Sequence, residues 1–496
     1  MTTMTFIKKI KRKDGKIYGI EVKGYRDKDG KVKHKYIRYV GKLDKKGNVV
    51  SSKSDISLDK VFQFGFPSIV SKAIDELNLK DMLRDYKEDI ATILMMQTYR
   101  PSSIRKMMAR IGSIEPSLIK SELPMSRERI ESALDFLEEN KEIIEQRLYD
   151  NLKEKCDDDT LFYDITAIAL NGYVSSLAKI GYPEFAPQIN IGFCVERKYG
   201  FPIFHEVFRG NISQKETLLQ VVEKLRKFGR KKLVLVFDGG IFCDKTVENA
   251  VNSKDMKVDV IARMQMYDSI KKIAIENVTK SVRDVVSLSN SKVYVKEISY
   301  KKGKMLVCFN EKLKVSVKEK RYDEVRMAIE KKKEGKPVKE GLKKYLIRYG
   351  KEWKINYEKL EEAEKYDGIF VLYCSMADMP KENAVKAYFE KDRIEKSFCT
   401  MKSILGAEPL RFQLDKRIRA CLMVSHLKYL LAMHIETRLK ENGLKYTIES
   451  VRENMSNVCS AHILQKGKTL KRISSLTEEQ KKIINIFDVV INLAES

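Results

Sequence analysis

The sequence predicts an α/β protein of several modules, and three observations predict it. Short apolar or β-branched runs at 161–170, 232–237 and 257–261 alternate with a helical pattern at 213–228, the rhythm of strands joined through a helix. A Lys-rich, mixed stretch at 263–366 interrupts that rhythm, which resumes with a strand-like run from Asp367. A chain of 496 residues is also too long for one small core and suggests roughly three or four modules.

Taken in order, residues 1–55 read as basic β-hairpins. Asp14-Gly15 and Asp29-Gly30 each separate segments of strand character such as 17–22 and 36–40, and Asp-Gly between such runs is a strong hairpin signal. Asp27-Lys28-Asp29-Gly30 lacks the remaining spacing of a calcium loop. Residues 56–155 are helical in pattern, punctuated by Pro101 and Pro124, with Ser126 placed to cap a run through Leu148. Residues 156–262 read as the first part of the α/β core, where 188–195 and 201–208 flank a turn at Lys198-Tyr199-Gly200. Residues 263–366 read as a β-rich basic insertion, with strand candidates at 293–295, 305–309 and 313–317 and a charged helix at 322–334. Residues 367–435 add a strand and two helices that complete the core, and 436–496 read as a helical tail.

Composition narrows the function classes. The net charge is +26, and it is concentrated. Residues 1–50 hold 16 Lys+Arg against 5 Asp+Glu, and residues 301–360 hold 20 against 9, so each block carries +11. Two such blocks suggest two surfaces on a polyanion, against the blander reading of solvated lysines. No apolar run approaches the roughly 18 residues of a membrane span, and the Lys-rich start is not followed by an apolar signal segment. Eight cysteines and five histidines are scattered without a C-x-x-C pair, which argues against a structural zinc site and for reduced thiols in the cytoplasm. Gly467-Lys468-Thr469 is not a phosphate-binding loop, because His462 stands where the first glycine belongs, and no dinucleotide fingerprint is present, so no nucleotide cofactor is expected.

Three acidic residues carry the candidate chemistry. Asp164 lies in the strand-like Leu161-Phe162-Tyr163-Asp164-Ile165-Thr166, Asp238 ends Leu235-Val236-Phe237-Asp238-Gly239-Gly240, and Glu395 lies in a helical stretch from Lys381 to Ile404. Tyr388, Lys391, Glu395 and Lys402 make the pattern Y-x2-K-x3-E-x6-K, whose side chains fall within roughly 60° of one helix face. A carboxylate flanked by cations on one face suggests a metal ligand beside a phosphate backbone. Each residue also has an ordinary reading. A structural hydrogen bond would account for Asp164, an Asp-Gly turn for Asp238, and a solvated helix surface for Glu395, with Glu390 as a competitor.

With these motifs in order, the chain resembles the DDE insertion-sequence transposases of the large IS-four superfamily, which carry Y-x2-R-x3-E-x6-K around the catalytic Glu. Tyr388-Phe389-Glu390-Lys391-Asp392-Arg393-Ile394-Glu395-Lys396-Ser397-Phe398, the run Asp367-Gly368-Ile369-Phe370-Val371-Leu372, Gly210-Asn211 and the stretch from Tyr25 to Lys31 all fit, so the likeness spans about residues 15–435. It implies an RNase H-like catalytic core interrupted by the insertion, with residues 1–55 and 56–155 engaging DNA. It implies Asp164, Asp238 and Glu395 as catalytic metal ligands for Mg²⁺, with Mn²⁺ substituting. It implies Tyr388, Lys391 and Lys402 as DNA contacts. Trp353, the single tryptophan, would stack an extruded base by the same likeness, against the plainer reading that it packs in the insertion. The expected partners are double-stranded DNA, both element ends and target, and a second copy of the chain, in a cytoplasmic, nucleoid-associated location. Lys391 for Arg, Glu408-Pro409 for Arg-Pro and Cys421 for His depart from the family pattern and bear on fine positioning. An RNase H-like nuclease or resolvase, or a decayed transposase that only binds DNA, are the alternatives.

Overall fold

The structure is a computed structural model and describes residues 5–12, 15–27, 29–50, 56–121, 125–153, 159–170, 175–181, 186–229, 231–252, 256–289, 291–350, 352–392, 395, 414–465 and 468–491. Two units emerge: one from residues 1–69, 110–118 and 451–496, the other from 70–109 and 119–450.

In the first unit, β1 (Thr5–Lys11), β2 (Ile17–Arg26), β3 (Val32–Leu43) and β4 (Val49–Val50) form an antiparallel sheet in that order. The Asp-Gly signals do what their chemistry allows. Gly15 and Gly30 take φ of 76° and 79°, a region open to glycine at no steric cost, and Asp27 Oδ1 accepts the Asp29 and Lys31 N–H groups at 3.0 and 2.9 Å. The strand β5 (Ile56–Gln63) follows, inside a region whose sequence pattern reads as helical.

The second unit is organised by a ten-stranded mixed sheet. Its elements in chain order are β6 (Thr160–Ala169), β7 (Lys179–Gly181), β8 (Ala186–Glu196), β9 (Pro202–Arg209), β10 (Lys232–Phe237), β11 (Lys257–Arg263), β12 (Val285–Ser287), β13 (Lys292–Tyr300) and β14 (Gly303–Phe309). A separate hairpin of β15 (Leu346–Tyr349) and β16 (Glu352–Ile355) precedes the last sheet strand, β17 (Ile369–Cys374). β6, β8 and β9 make an antiparallel meander, while β10 and β11 run parallel to β6. Parallel neighbours need crossovers, and the helices Gln214–Lys227 and Asp244–Val251 supply them. β17 lies antiparallel between β11 and β14, so the strands β12–β14 of the Lys-rich stretch extend the same sheet.

Strand alternation divides the core. Leu161, Tyr163, Leu233, Leu235 and Phe237 pack on one face with Leu218, Val221 and Val247 of the crossover helices. Phe162, Val234 and Val236 pack on the other with Ala384 and Val385 of the helix Lys381–Glu390 and Ile418 and Leu422 of the helix Asp415–Glu441. Each such side chain contributes about 1.5–3 kcal/mol on full burial, and a sheet covered by helices on both faces accounts for the continuous apolar runs.

Two local assignments differ from the sequence reading. Residues 313–317 alternate like a strand but belong to the helix Glu311–Lys333, because Asn310 caps it and accepts the Leu313 N–H at 3.0 Å. Residues 436–496 are not wholly helical: β18 (Cys459–Gln465) and β19 (Lys468–Ile473) form a hairpin, and β18 pairs antiparallel with β5. A partner nearly 400 positions away (Gln63 to Cys459, 396 residues) leaves no local trace in sequence.

Gly210 shows why the Gly210-Asn211 pair is glycine first. A Cβ there would overlap the carbonyl oxygens of Gln188 and Lys179, while the Gln188 and Asn190 side-chain amides donate to the Gly210 carbonyl at 3.3 and 3.2 Å. Gly210→Ala is therefore expected to destabilise the second unit by about 1–3 kcal/mol or more, measured by denaturant unfolding. An unchanged midpoint would mean the β7–β8 edge moves aside freely.

Candidate active site

Register brings the first two carboxylates together. β10 pairs with β6 as Val234↔Thr160 through Val236↔Phe162, and the same register two residues on sets Asp238 beside Asp164. Neighbouring strands lie about 4.8 Å apart. Alternation then puts both residues on the face of Phe162 and Val236, which the helix Lys381–Glu390 covers. That helix carries Tyr388 in its last turn and Lys391 at its C-terminal cap.

The polar contacts join these pieces. Tyr388, its ring stacked 6.4 Å from that of Phe370 on β17, donates its hydroxyl to Asp238 Oδ1 at 3.0 Å. The same oxygen accepts the Gly239 N–H at 2.9 Å, and Asp164 Oδ1 accepts the Ile165 N–H at 2.8 Å. The Lys391 ammonium donates to Glu395 Oε1 at 3.1 Å and lies 3.9 Å from Asp164 Oδ2. Lys391 is 3% exposed.

Electrostatics follows from this placement. Burial pushes the Asp164 carboxyl up to about 6. Lys391 and the Ile165 N–H oppose that rise, and the charges of Asp238 and Glu395 add to it. Burial alone would lower the Lys391 pKa, yet Asp164, Asp238 and Glu395 together hold it above the ordinary lysine value. All three carboxylates thus act on one ammonium. The donors are all carboxylate oxygens, the set a hard divalent cation takes, but their ligand atoms are not gathered within 4.8 Å of one another as those of Glu145, His205 and His426 are.

Of the remaining sequence candidates, Lys402 lies outside the described residues. Trp353 sits on β16 and packs half-buried against the small cluster of Val325, Ala328, Tyr345, Leu346 and Leu360, with the Lys332 ammonium 5.0 Å above its ring. Glu390, the competitor of Glu395, is engaged elsewhere, its Oε2 2.5 Å from the Arg197 guanidinium.

Sequence reasoning missed Arg263. It ends β11 beside Asp238, packs 5.5 Å over the Phe370 ring and acts on the Tyr388 hydroxyl. A cation closing the strand after an Asp-bearing strand end was the available signal. It also missed a second buried cluster. Glu145, His205 and His426 bring ligand-type atoms within 4.8 Å of one another, although their spacing in sequence suggested nothing. Lys224 and Lys141 already hold Glu145 Oε2 at 2.7 and 3.2 Å, and Glu206 joins both lysines. Its negative charge is matched from within, which leaves little to attract a metal cation. Burial keeps both imidazoles neutral, lowering His205 and taking His426 to about 3.

No family model and no curated protein matches the chain. Among solved structures it is similar to a piggyBac transposase determined by cryo-EM as a synaptic complex with hairpin DNA, at 12% identity and a TM-score of 0.39, over 79% of this chain and 77% of that one. At that score the likeness bears on neither mechanism nor substrate.

The raised Asp164 pKa has a definite sign. The folded protein binds this proton more tightly than the unfolded chain, whose carboxyl titrates near 3.9. The resulting stability is complete below about pH 4 and lost as the pH rises through about 6. In metal-free buffer Asp164→Asn is expected to be more stable than the parent by about 1–3 kcal/mol near pH 8, the two converging near pH 4. Denaturant melts at both pH values measure it. A variant destabilised equally at both would show that Asp164 carries no buried-charge cost.

Proposed function

We propose that this chain is a DDE transposase of the IS-four type, which nicks DNA at the ends of its element and joins the freed 3′-OH to target DNA. The observation that supports the reading is that Asp164, Asp238 and Glu395 all act on the Lys391 ammonium, while Tyr388 donates to Asp238. An RNase H-like core supplies its carboxylates from a first strand, a later strand end and a helix. The first strand of the large sheet, the end of β10 and the helical residue Glu395 are those elements here.

Mg²⁺ held by the three carboxylates, with Mn²⁺ as a substitute, would activate the attacking oxygen and stabilise the leaving one. The chain's own residues do the positioning. Tyr388 and the Gly239 N–H fix the Asp238 carboxylate by two hydrogen bonds to one oxygen. Lys391 holds positive charge at the carboxylates, and once a metal ion displaced it from them it would be free to meet a phosphate. Lys402 joins it as a backbone contact by the family resemblance alone, since the helix that carries Tyr388 ends at Glu390. Trp353 could stack an extruded base only if Lys332 left its ring. Two ends must be held at once, so the assembly is a homodimer on DNA.

A nuclease or resolvase would share the triad, and a decayed transposase would bind without cutting. Asp164→Asn, Asp238→Asn and Glu395→Gln should each abolish Mg²⁺-dependent nicking and strand transfer of element-end DNA while gel-shift affinity holds. Nicking without strand transfer by the parent protein supports the nuclease, and binding without nicking the decayed form. Parental cleavage by any one variant removes that residue from the triad.

Lys391 gives an independent check. Its ammonium occupies the place a divalent ion needs, so Lys391→Met should bind Mn²⁺ about tenfold or more tightly in the absence of DNA, since a pair at 4 Å interacts by about 4 kcal/mol at an effective dielectric near 20. Electron paramagnetic resonance of free Mn²⁺ reads this. Equal or weaker binding would show that Lys391 does not compete for the site.

A further inference from the structure

One face of the N-terminal sheet gathers exposed aromatic rings among cations. Cross-strand partners share a face. The pairs Phe6↔Val22↔Tyr36, Lys8↔Ile20↔Tyr39 and Ile10↔Tyr18↔Lys42 therefore line one side in three successive rows, about 7 Å apart at two residues per row. Ring contacts agree: Phe6 meets His34 at 5.1 Å, Tyr18 meets Tyr39 at 6.1 Å, and the Arg12 guanidinium lies 4.6 Å over Tyr18. The opposite side carries Ile7 and Leu43, which crowd Gly19, and the Glu21–Arg38 ion pair at 2.6 Å.

Two irregularities of β3 create this face. Its register skips Ile37 and Val40. Tyr36 and Tyr39 are three apart, and plain alternation would send them to opposite sides. The bulge at Ile37 returns Tyr39 to the side of Tyr36, as bulges do when they re-aim a side chain. The bulge at Val40 does the same for Lys42. Large rings so aligned would ordinarily be buried, yet Phe6, Tyr36 and Tyr39 are 45%, 58% and 50% exposed. No carboxylate occupies a strand position on this face; Glu21, the one acidic residue within β1–β3, points to the other.

Exposed rings among cations, with no acid on the face, match a polyanion that also offers flat apolar faces. A duplex hides its base faces by stacking, and a single strand presents them. We propose that this face is a platform for single-stranded DNA, on which Phe6, Tyr36 and Tyr39 stack unpaired bases while Lys8, Arg12 and Lys42 meet the backbone. It shares its DNA substrate with the transposase reading but none of its chemistry, and it would serve where a strand is parted from its complement.

The test is fluorescence anisotropy of the full-length protein with a labelled 20-nucleotide single strand of mixed sequence and with the matching duplex, in EDTA, so that cleavage plays no part. The parent should hold the single strand more tightly than the duplex. The double variant Tyr36→Ala/Tyr39→Ala should weaken single-strand binding about tenfold or more, with duplex affinity and the salt slope of binding unchanged. Tyr36→Phe/Tyr39→Phe keeps the ring faces and should bind like the parent; Tyr36→Leu/Tyr39→Leu keeps apolar bulk without the rings and should behave like the alanine variant. Both side chains are half exposed, and melting curves confirm that all variants fold. Equal loss on single strand and duplex, no loss on either, or full binding by the leucine variant would overturn the proposal and leave the sheet a general charged surface. Failure of cleavage with binding intact bears on the carboxylate site alone.

Discussion

Three carboxylates that act on one ammonium set the electrostatics around Lys391 in the second unit. An isolated buried carboxylate is costly, and several together repel. Asp164 feels this directly, with a carboxyl pushed up to about 6. The Lys391 ammonium supplies the compensating charge in the absence of a metal ion, and helix placement, strand register and the packing of Tyr388 on Phe370 all serve to deliver it. The position is over-determined by backbone elements, as a site must be if small displacements are costly to it.

Two charge clusters of this unit differ: one is buried, and the other opens to solvent at Glu395, whose side chain is 58% exposed. Glu145 and Glu206 face Lys141 and Lys224, two negative charges against two positive, with both neighbouring imidazoles neutral. That network is closed. At the other cluster three carboxylates act on Lys391, and Arg263 approaches through Tyr388, whose hydroxyl donates to Asp238. Arg197 contributes by withdrawing Glu390 from the competition, which leaves Glu395 as the carboxylate that faces Lys391.

What was legible in sequence follows the range of the interaction. The strands from Thr160, Lys232 and Lys257 and the helix between them announce themselves by local pattern. Helical spacing groups Tyr388, Lys391 and Glu395 on a single helix from Lys381 to Ile404, but the helix that carries Tyr388 ends at Glu390, and Lys391 meets Glu395 from its C-terminal cap. Asp164 and Asp238 could be named but not joined, because a parallel register between strands about 70 residues apart is set by tertiary packing. The same limit hid the addition of β12–β14 to the main sheet and the pairing of β18 with β5. It also hid the Glu145–His205–His426 cluster, which gathers one residue from a helix, one from β9 and one from the helix Asp415–Glu441. The strand-like alternation of 313–317 misled for the opposite reason: a short local pattern was overruled by a cap one residue before the helix.

Charge shows most clearly what a sequence window omits. Residues 1–50 and 301–360 carry the same +11. In the second block the fold brings carboxylates from outside the window: Asp244 and Glu248 to Lys301, Glu297 to Lys304, Glu364 to Lys318 and Asp367 to Arg321. Much of its excess is spent on holding that region together. The described ion pairs of the first block, Lys33–Asp27 and Arg38–Glu21, use acids already counted within it. Two blocks of equal formal charge are therefore unequal in what they present to a polyanion, and the one that keeps its excess is also the one whose bulged strand gathers aromatic rings on a single exposed face. Under the proposal, counterion release and ring stacking would act at one place, the pairing that single-strand binding surfaces use.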